Sequence, residues 1–242
     1  MQSRNYVLRA MARPDLQTLE PYMQEVSLSS GDILYEPAYL VDWVYFPNTA
    51  VLSVVTVMAD GRMVESDTVG YESVVGVLCA LGASPTVNRT FTQIGGTAIK
   101  LSASRLRHRA EESGALRRLL IRHAQANLAQ AHQSVACNAL HDLQQRLCRW
   151  LLMSQDRTAN GELRLTQQYL AAMLGVQRTT VTQALRQMAA ANLIRQGRGR
   201  IMLIDRERIA ALACECYEAV SANLTQLIGA EPSREPEPAA VR

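Results

Sequence analysis

The stretch covering residues 166–205, TQQYLAAMLGVQRTTVTQALRQMAAANLIRQGRGRIMLID, decides how this chain reads. Thr166 is placed to cap a helix whose inward residues are Leu170, Met173 and Leu174. Gly175 ends that helix, where a left-handed residue is needed and glycine adopts it without strain. Gln177 opens a second helix with Val181, Leu185 and Met188 pointing inward at helical spacing. Ala171, four residues before Gly175, is small enough to let the two helices cross closely. Two helices joined by a glycine-containing turn are the helix-turn-helix layout. Leu193-Ile194 and residues 201–204 read as strands around Gln196-Gly197-Arg198-Gly199-Arg200, a hairpin wing that presents Arg198 and Arg200 to a phosphate backbone.

The outward face of the second helix carries Gln177, Arg178, Thr179, Thr182, Gln183 and Arg186. These groups are what reading double-stranded DNA requires: arginine bonds guanine bidentately, glutamine pairs with adenine, and threonine touches a thymine methyl. Charge agrees. Between residues 164 and 208 eight arginines are opposed only by Asp205 and Glu207, although the whole chain is only +3. The plainer alternative is a two-helix turn in an unrelated α-helical protein with a solvated arginine face.

Working outward, 242 residues are comfortable for two domains, and 48% hydrophobic content supports a sizeable core. No apolar run approaches the roughly 20 residues that span a bilayer, and the N-terminus lacks a secretory signal, so a cytoplasmic protein is expected. The five cysteines (Cys79, Cys137, Cys148, Cys214, Cys216) have no framework spacing. Cys214 and Cys216 are expected in one helix, facing apart as core thiols, with a redox or metal site as the alternative.

Residues 33–47, 50–58, 62–70, 89–93 and 97–101 read as short strands, with Gly31-Asp32 opening a turn and Asp60-Gly61 marking a two-residue hairpin. A small barrel or sandwich follows, preceded by a short helix near residues 15–24. From residue 105 to about 137 one long helix is expected. Ile121, Ala124, Leu128, Ala131 and Val135 follow alternating steps of four and three, a seam for a second copy of the chain. The alternative is an amphipathic helix lying on its own barrel. A further helix over 141–155 follows a hinge near 138–142 with Asp142 as cap, and the Pro- and Glu-rich stretch 229–242 is expected to be disordered.

The chain resembles the Crp/Fnr family of bacterial regulators over about residues 15–225, most specifically in LGVQRTTVTQAL and NLIRQGRGRIMLID. The resemblance implies an α+β fold: an N-terminal cyclic-nucleotide-binding-like β-barrel (jelly roll) over 1–104, a dimerisation helix and hinge over 105–140, and a C-terminal winged helix-turn-helix over 141–228. It implies a homodimeric transcription regulator that binds DNA under control of a sensor domain and meets RNA polymerase. Arg178 takes the place of the family's base-reading arginine. Thr179 and Gln183 depart from the glutamate and arginine often found there, so a different DNA sequence is expected. The alternative is a small-molecule-binding module whose helix-turn-helix serves protein contacts.

The same resemblance makes Glu72, Arg89 and Thr90 the candidate effector-binding residues, for a ribose and a phosphate. Tyr71 interrupts the Gly-Glu pair, and the segment from Glu72 to Arg89 is longer than in cyclic-AMP binders. The competing reading is that Glu72 and Arg89 pair with each other or face water. No other cofactor is expected. A metal-dependent oxygenase needs several barrel histidines, and the first here is His108; an oxygen-sensing iron–sulfur cluster needs several N-terminal cysteines, and only Cys79 lies in the barrel. Haem ligation by His108 or Cys79 has no support. With no nucleophile–base pair or metal triad in the sequence, an enzyme is not expected.

Overall fold

The computed structural model describes residues 3–158 and 161–228; the stretch expected to be disordered lies outside them. The N-terminal half opens with helices α1 (Tyr6–Ala10) and α2 (Arg13–Leu19), a 3-10 turn at Glu20–Tyr22, and strands β1 (Gln24–Leu28), β2 (Ile33–Tyr35), β3 (Trp43–Pro47), β4 (Val51–Val57) and β5 (Met63–Val69). Helix α3 (Val77–Gly82) then leads to β6 (Arg89–Ile94) and β7 (Gly96–Ser102). These strands form two antiparallel sheets, β2-β6-β4-β5 and β1-β7-β3. Helix α1 and strand β1 were not anticipated: both are short, and the outward residues of β1 leave little hydrophobic alternation to detect.

The hairpin between β4 and β5 differs from its expected form. Met58 and Arg62 still pair through Met58 N–H to Arg62 O at 2.8 Å, so the loop holds three residues, Ala59, Asp60 and Gly61. Gly61 takes φ 82°, the left-handed position that closes a three-residue loop.

The long helix is two helices, α4 (Ala103–Glu112) and α5 (Gly114–Leu140), broken at Ser113. The break has a local cause. Ser113 Oγ accepts from Leu116 N–H at 3.2 Å, capping α5, and donates to buried Asp15 Oδ2 at 2.9 Å. Asp15 also accepts from Arg109 Nε at 2.8 Å, which fastens α2 to the end of α4. One face of α5 (Leu116, Leu119, Leu120, Ala126) is buried against its own barrel. His123, on that face, accepts from Val74 N–H at 3.2 Å and sits 2.7 Å from Ser73 Oγ; burial lowers its pKa to about 4.

After α5 come α6 (Leu143–Arg157), β8 (Glu162–Leu163), α7 (Gln167–Leu174), α8 (Arg178–Ala190), β9 (Ile194–Gly197), β10 (Arg200–Leu203), α9 (Arg206–Leu212) and α10 (Cys216–Ile228). Asp142 and Gln145 form a reciprocal capping box at the start of α6. Leu147 and Leu151 of α6, Leu170 of α7, and Val181 and Leu185 of α8 share one buried cluster with Val51, Val55, Phe91 and Ile94 of the barrel. The two halves of the chain are therefore joined by a continuous apolar core. No helix among the described residues is long and apolar enough to cross a membrane.

Candidate nucleic-acid interface

Helices α7 and α8 and the strands behind them are built as their residues dictate. Thr166 Oγ1 accepts from Tyr169 N–H at 3.2 Å, and Gly175 ends α7 at φ 65°. Leu170, Met173 and Leu174 are buried beneath Val181, Leu185 and Met188. Helix α8 starts at Arg178 with Gln177 as its cap position. Strands β9 and β10 pair from Arg200↔Gly197 to Leu203↔Ile194, and β8, not foreseen, adds a third strand. Two residues are too few to leave a period in the sequence.

Burial inside this unit forces the polar residues out. Gln177, Arg178, Thr179, Gln183 and Arg186 are exposed along one side of α8, and Arg198 and Arg200 are exposed on the wing. Thr182 is half-buried, with its hydroxyl donating to Gln167 Oε1 at 2.7 Å, which fixes α8 against α7. Arg178, Arg198 and Arg200 line one open groove between α8 and the β9–β10 hairpin, together with Gln167 and Gln196.

Not every arginine of the basic segment belongs to that surface. Arg206 of α9 bonds Asp156 Oδ1 at 2.6 Å and the Tyr217 hydroxyl at 2.7 Å, a brace between α6 and α10. Arg200 and Arg164 both reach Glu162 at 3.3 Å. Glu162 was missed because it lies just outside the basic stretch; only the β8–β10 pairing brings it beneath the wing.

Residues 145–212 match the model of the Crp-like helix-turn-helix domain. In overall structure the chain is similar to a protein from Eubacterium rectale described as a transcriptional regulator of the crp/fnr family (TM-score 0.68, 14% identity, 85% of this chain and 96% of that one). It is also similar to FixK2 from Bradyrhizobium japonicum (0.66, 19%, 79% and 98%) and to a CRP/FNR family regulator from Thermus thermophilus (0.63, 22%, 78% and 98%). The chain carries a Crp-like helix-turn-helix domain on a Crp/Fnr fold. None of the curated proteins matches it in sequence.

The Crp-like domain leans on the barrel at the place where an effector site was expected. Glu72 is buried and takes Arg157 Nε of α6 at 2.7 Å, while its Oε1 also accepts from Gly70 N–H at 3.1 Å. Arg89 instead holds Glu36 at 3.0 Å, and Thr90 is buried within β6. Glu72 and Arg89 thus do not pair with each other; Glu72 is buried, while Arg89 is half-buried and partly faces water, and each has a separate partner. A Cβ on Gly70 would stand 2.6 Å from Arg157 Cγ and 2.8 Å from Glu72 Oε2, so glycine is what lets this pair close. Beside it, Trp150 Nε1 donates to Glu65 Oε2 at 2.6 Å, and Ser53 donates to the same carboxylate. Burial pushes Glu65 upward in pKa, partly countered by the Ser53 and Trp150 bonds.

The seam residues of α5 lie on the face turned away from the barrel. Ile121, Leu128 and Val135 are 48%, 56% and 69% exposed, with Ala124 and Ala131 half-buried between them. The helix serves its own barrel on one face and leaves an apolar line on the other.

Proposed function

We propose that the chain is a homodimeric, sequence-specific DNA-binding regulator of transcription acting in the cytoplasm. The observation that carries this reading is the exposed row Arg178, Thr179, Gln183 and Arg186 on α8, flanked by Arg198 on the wing. The α8 row enters the major groove and the wing meets phosphates. Two copies join through Ile121, Ala124, Leu128, Ala131 and Val135, since an exposed apolar line of this length calls for a partner and its own barrel occupies the opposite face. A two-fold dimer then reads a pseudo-palindrome with half-sites about 34 Å apart. RNA polymerase is the second partner of such a regulator.

The barrel modulates DNA binding through its contact with α6, because any change at Glu72 or Glu65 is felt by Arg157 or Trp150. Cyclic AMP is not the effector in this reading: the carboxylate that would hold its ribose is already engaged. The test is selection of bound duplexes from a random pool. Enrichment of a pseudo-palindrome is expected, and a pool left unenriched by the intact chain would refute the proposal.

A further inference from the structure

Four residues assigned to no role above come together where the long helix ends. Cys137 and His141 belong to the last turn of α5 and its cap, while Cys214 and Cys216 come from the link between α9 and α10. The two nearby cysteines do not face apart, because α10 begins only at Cys216 and Cys214 lies in the turn before it. Both thiols therefore converge on Cys137. Cys137 Sγ and Cys214 Sγ are 3.5 Å apart, and Cys216 Sγ is 3.5 Å from His141 Nδ1. All four donor atoms lie within 4.8 Å of one another, and the three cysteines are buried and not joined by a disulfide.

We propose that Cys137, His141, Cys214 and Cys216 form a tetrahedral site for one divalent zinc-class ion, which staples the end of α5 to the start of α10. Three thiolates and one imidazole are a preferred set for structural zinc. The size fits a single ion. Metal–sulfur bonds of about 2.3 Å set a tetrahedron with edges of about 3.8 Å, close to the spacings present and too small for the wider ligand cage of an iron–sulfur cluster. Orientation fits as well. His141 Nε2 lies 3.2 Å from Glu215 Oε2, so that nitrogen keeps the proton and Nδ1 turns its lone pair toward the thiols. Gln133 Nε2 donates to Cys216 Sγ at 3.0 Å, and Arg149 lies beside Cys137, where its charge offsets the surplus negative charge of three thiolates. On binding, the three thiol protons leave to solvent and no redox change occurs. Because α6 starts at Leu143, two residues past His141, the ion would set the angle at which the helix-turn-helix domain leaves the long helix.

The experiment uses the full untagged chain, reduced, stripped with chelator and titrated anaerobically with Co2+ as a spectroscopic stand-in. The expected result is saturation at one Co2+ per chain, with thiolate-to-cobalt charge transfer, strong tetrahedral visible bands, and bleaching by Zn2+. Cys214→Ser, Cys216→Ser and His141→Ala should each weaken binding by tenfold or more, and Glu215→Gln by roughly tenfold, as expected for an orienting carboxylate. Cys79→Ser and Cys148→Ser should bind as the wild type does. Folding of each variant is checked by circular dichroism, and the wild-type titration decides the matter on its own. Folded, reduced wild-type protein with no charge-transfer band would overturn the site. So would finding that Cys79→Ser abolishes the band, or that the cluster takes no cobalt but oxidises to a Cys137–Cys214 disulfide.

Discussion

Arg157 of the helix-turn-helix half donates to Glu72 of the barrel at 2.7 Å, and both side chains are at least 90% shielded from water. Removing one member of such a buried pair strands the other charge, a loss of about 3–5 kcal/mol. Glu72→Gln and Arg157→Met are each expected to lower the unfolding free energy by that amount in denaturant melts. The double variant should lose much less than the two losses combined. Gly70→Ala should mimic the single variants, because its methyl occupies the space of Arg157 Cγ. Strict additivity in the double-mutant cycle would show that the contact contributes nothing.

His123 makes stability depend on pH. Its folded pKa is lowered to about 4 by burial, from an ordinary 6.5. Between those values the unfolded chain takes a proton that the folded chain refuses, so stability falls as pH drops from 6.5 to 4, by on the order of 3 kcal/mol in full. Glu65 and Asp67, whose pKa values burial raises, slope the opposite way. The histidine's share is therefore read as the difference between wild type and His123→Gln, which keeps an acceptor for Val74 N–H but cannot titrate. Parallel curves for the two proteins would remove His123 from the account.

Leu128→Glu should break the proposed dimer, since it sets a charge against its symmetry mate in an apolar seam. Light scattering at micromolar concentration should move from dimer mass to monomer mass. A wild type that is already monomeric would leave the exposed line on α5 to some other partner.

Arg178→Ala is expected to lose about 1–3 kcal/mol at one base position per half-site. Arg198→Ala should weaken all sequences alike and flatten the salt dependence. Glu162→Gln should act in the reverse sense. It frees Arg200 and Arg164 from a carboxylate that also repels phosphate, so affinity should rise for every duplex and the salt dependence should steepen. Unchanged base preference in Arg178→Ala would remove α8 as the reading helix.

Cyclic AMP and cyclic GMP should leave DNA affinity unchanged in binding assays and give no heat in calorimetry. The expectation rests on Glu72 being held by Arg157 and Arg89 by Glu36. Micromolar binding lost in Arg89→Ala, with a matching rise in DNA affinity, would return both residues to an effector site.

The sequence by itself determined the helix-turn-helix, the inward sets Leu170/Met173/Leu174 and Val181/Leu185/Met188, the caps at Thr166 and Asp142, and the outward line on α5. Those features depend on spacing and on residues within one or two turns of each other, which a periodic pattern records directly. The tertiary structure decided what periodicity cannot carry. Glu72 finds Arg157 85 positions away, and Cys137 finds Cys214 77 positions away, because packing brings α6 and α10 to the barrel and to α5. The break at Ser113 is of the same kind: a serine within a helical pattern becomes a cap once folding brings buried Asp15 within hydrogen-bond reach. Cys214 and Cys216 show the limit most plainly. Two residues apart, they oppose each other only if one helix holds both, and the helix that forms begins at the second. Where a helix starts is settled by what its first turn packs against, and here that is the end of α5.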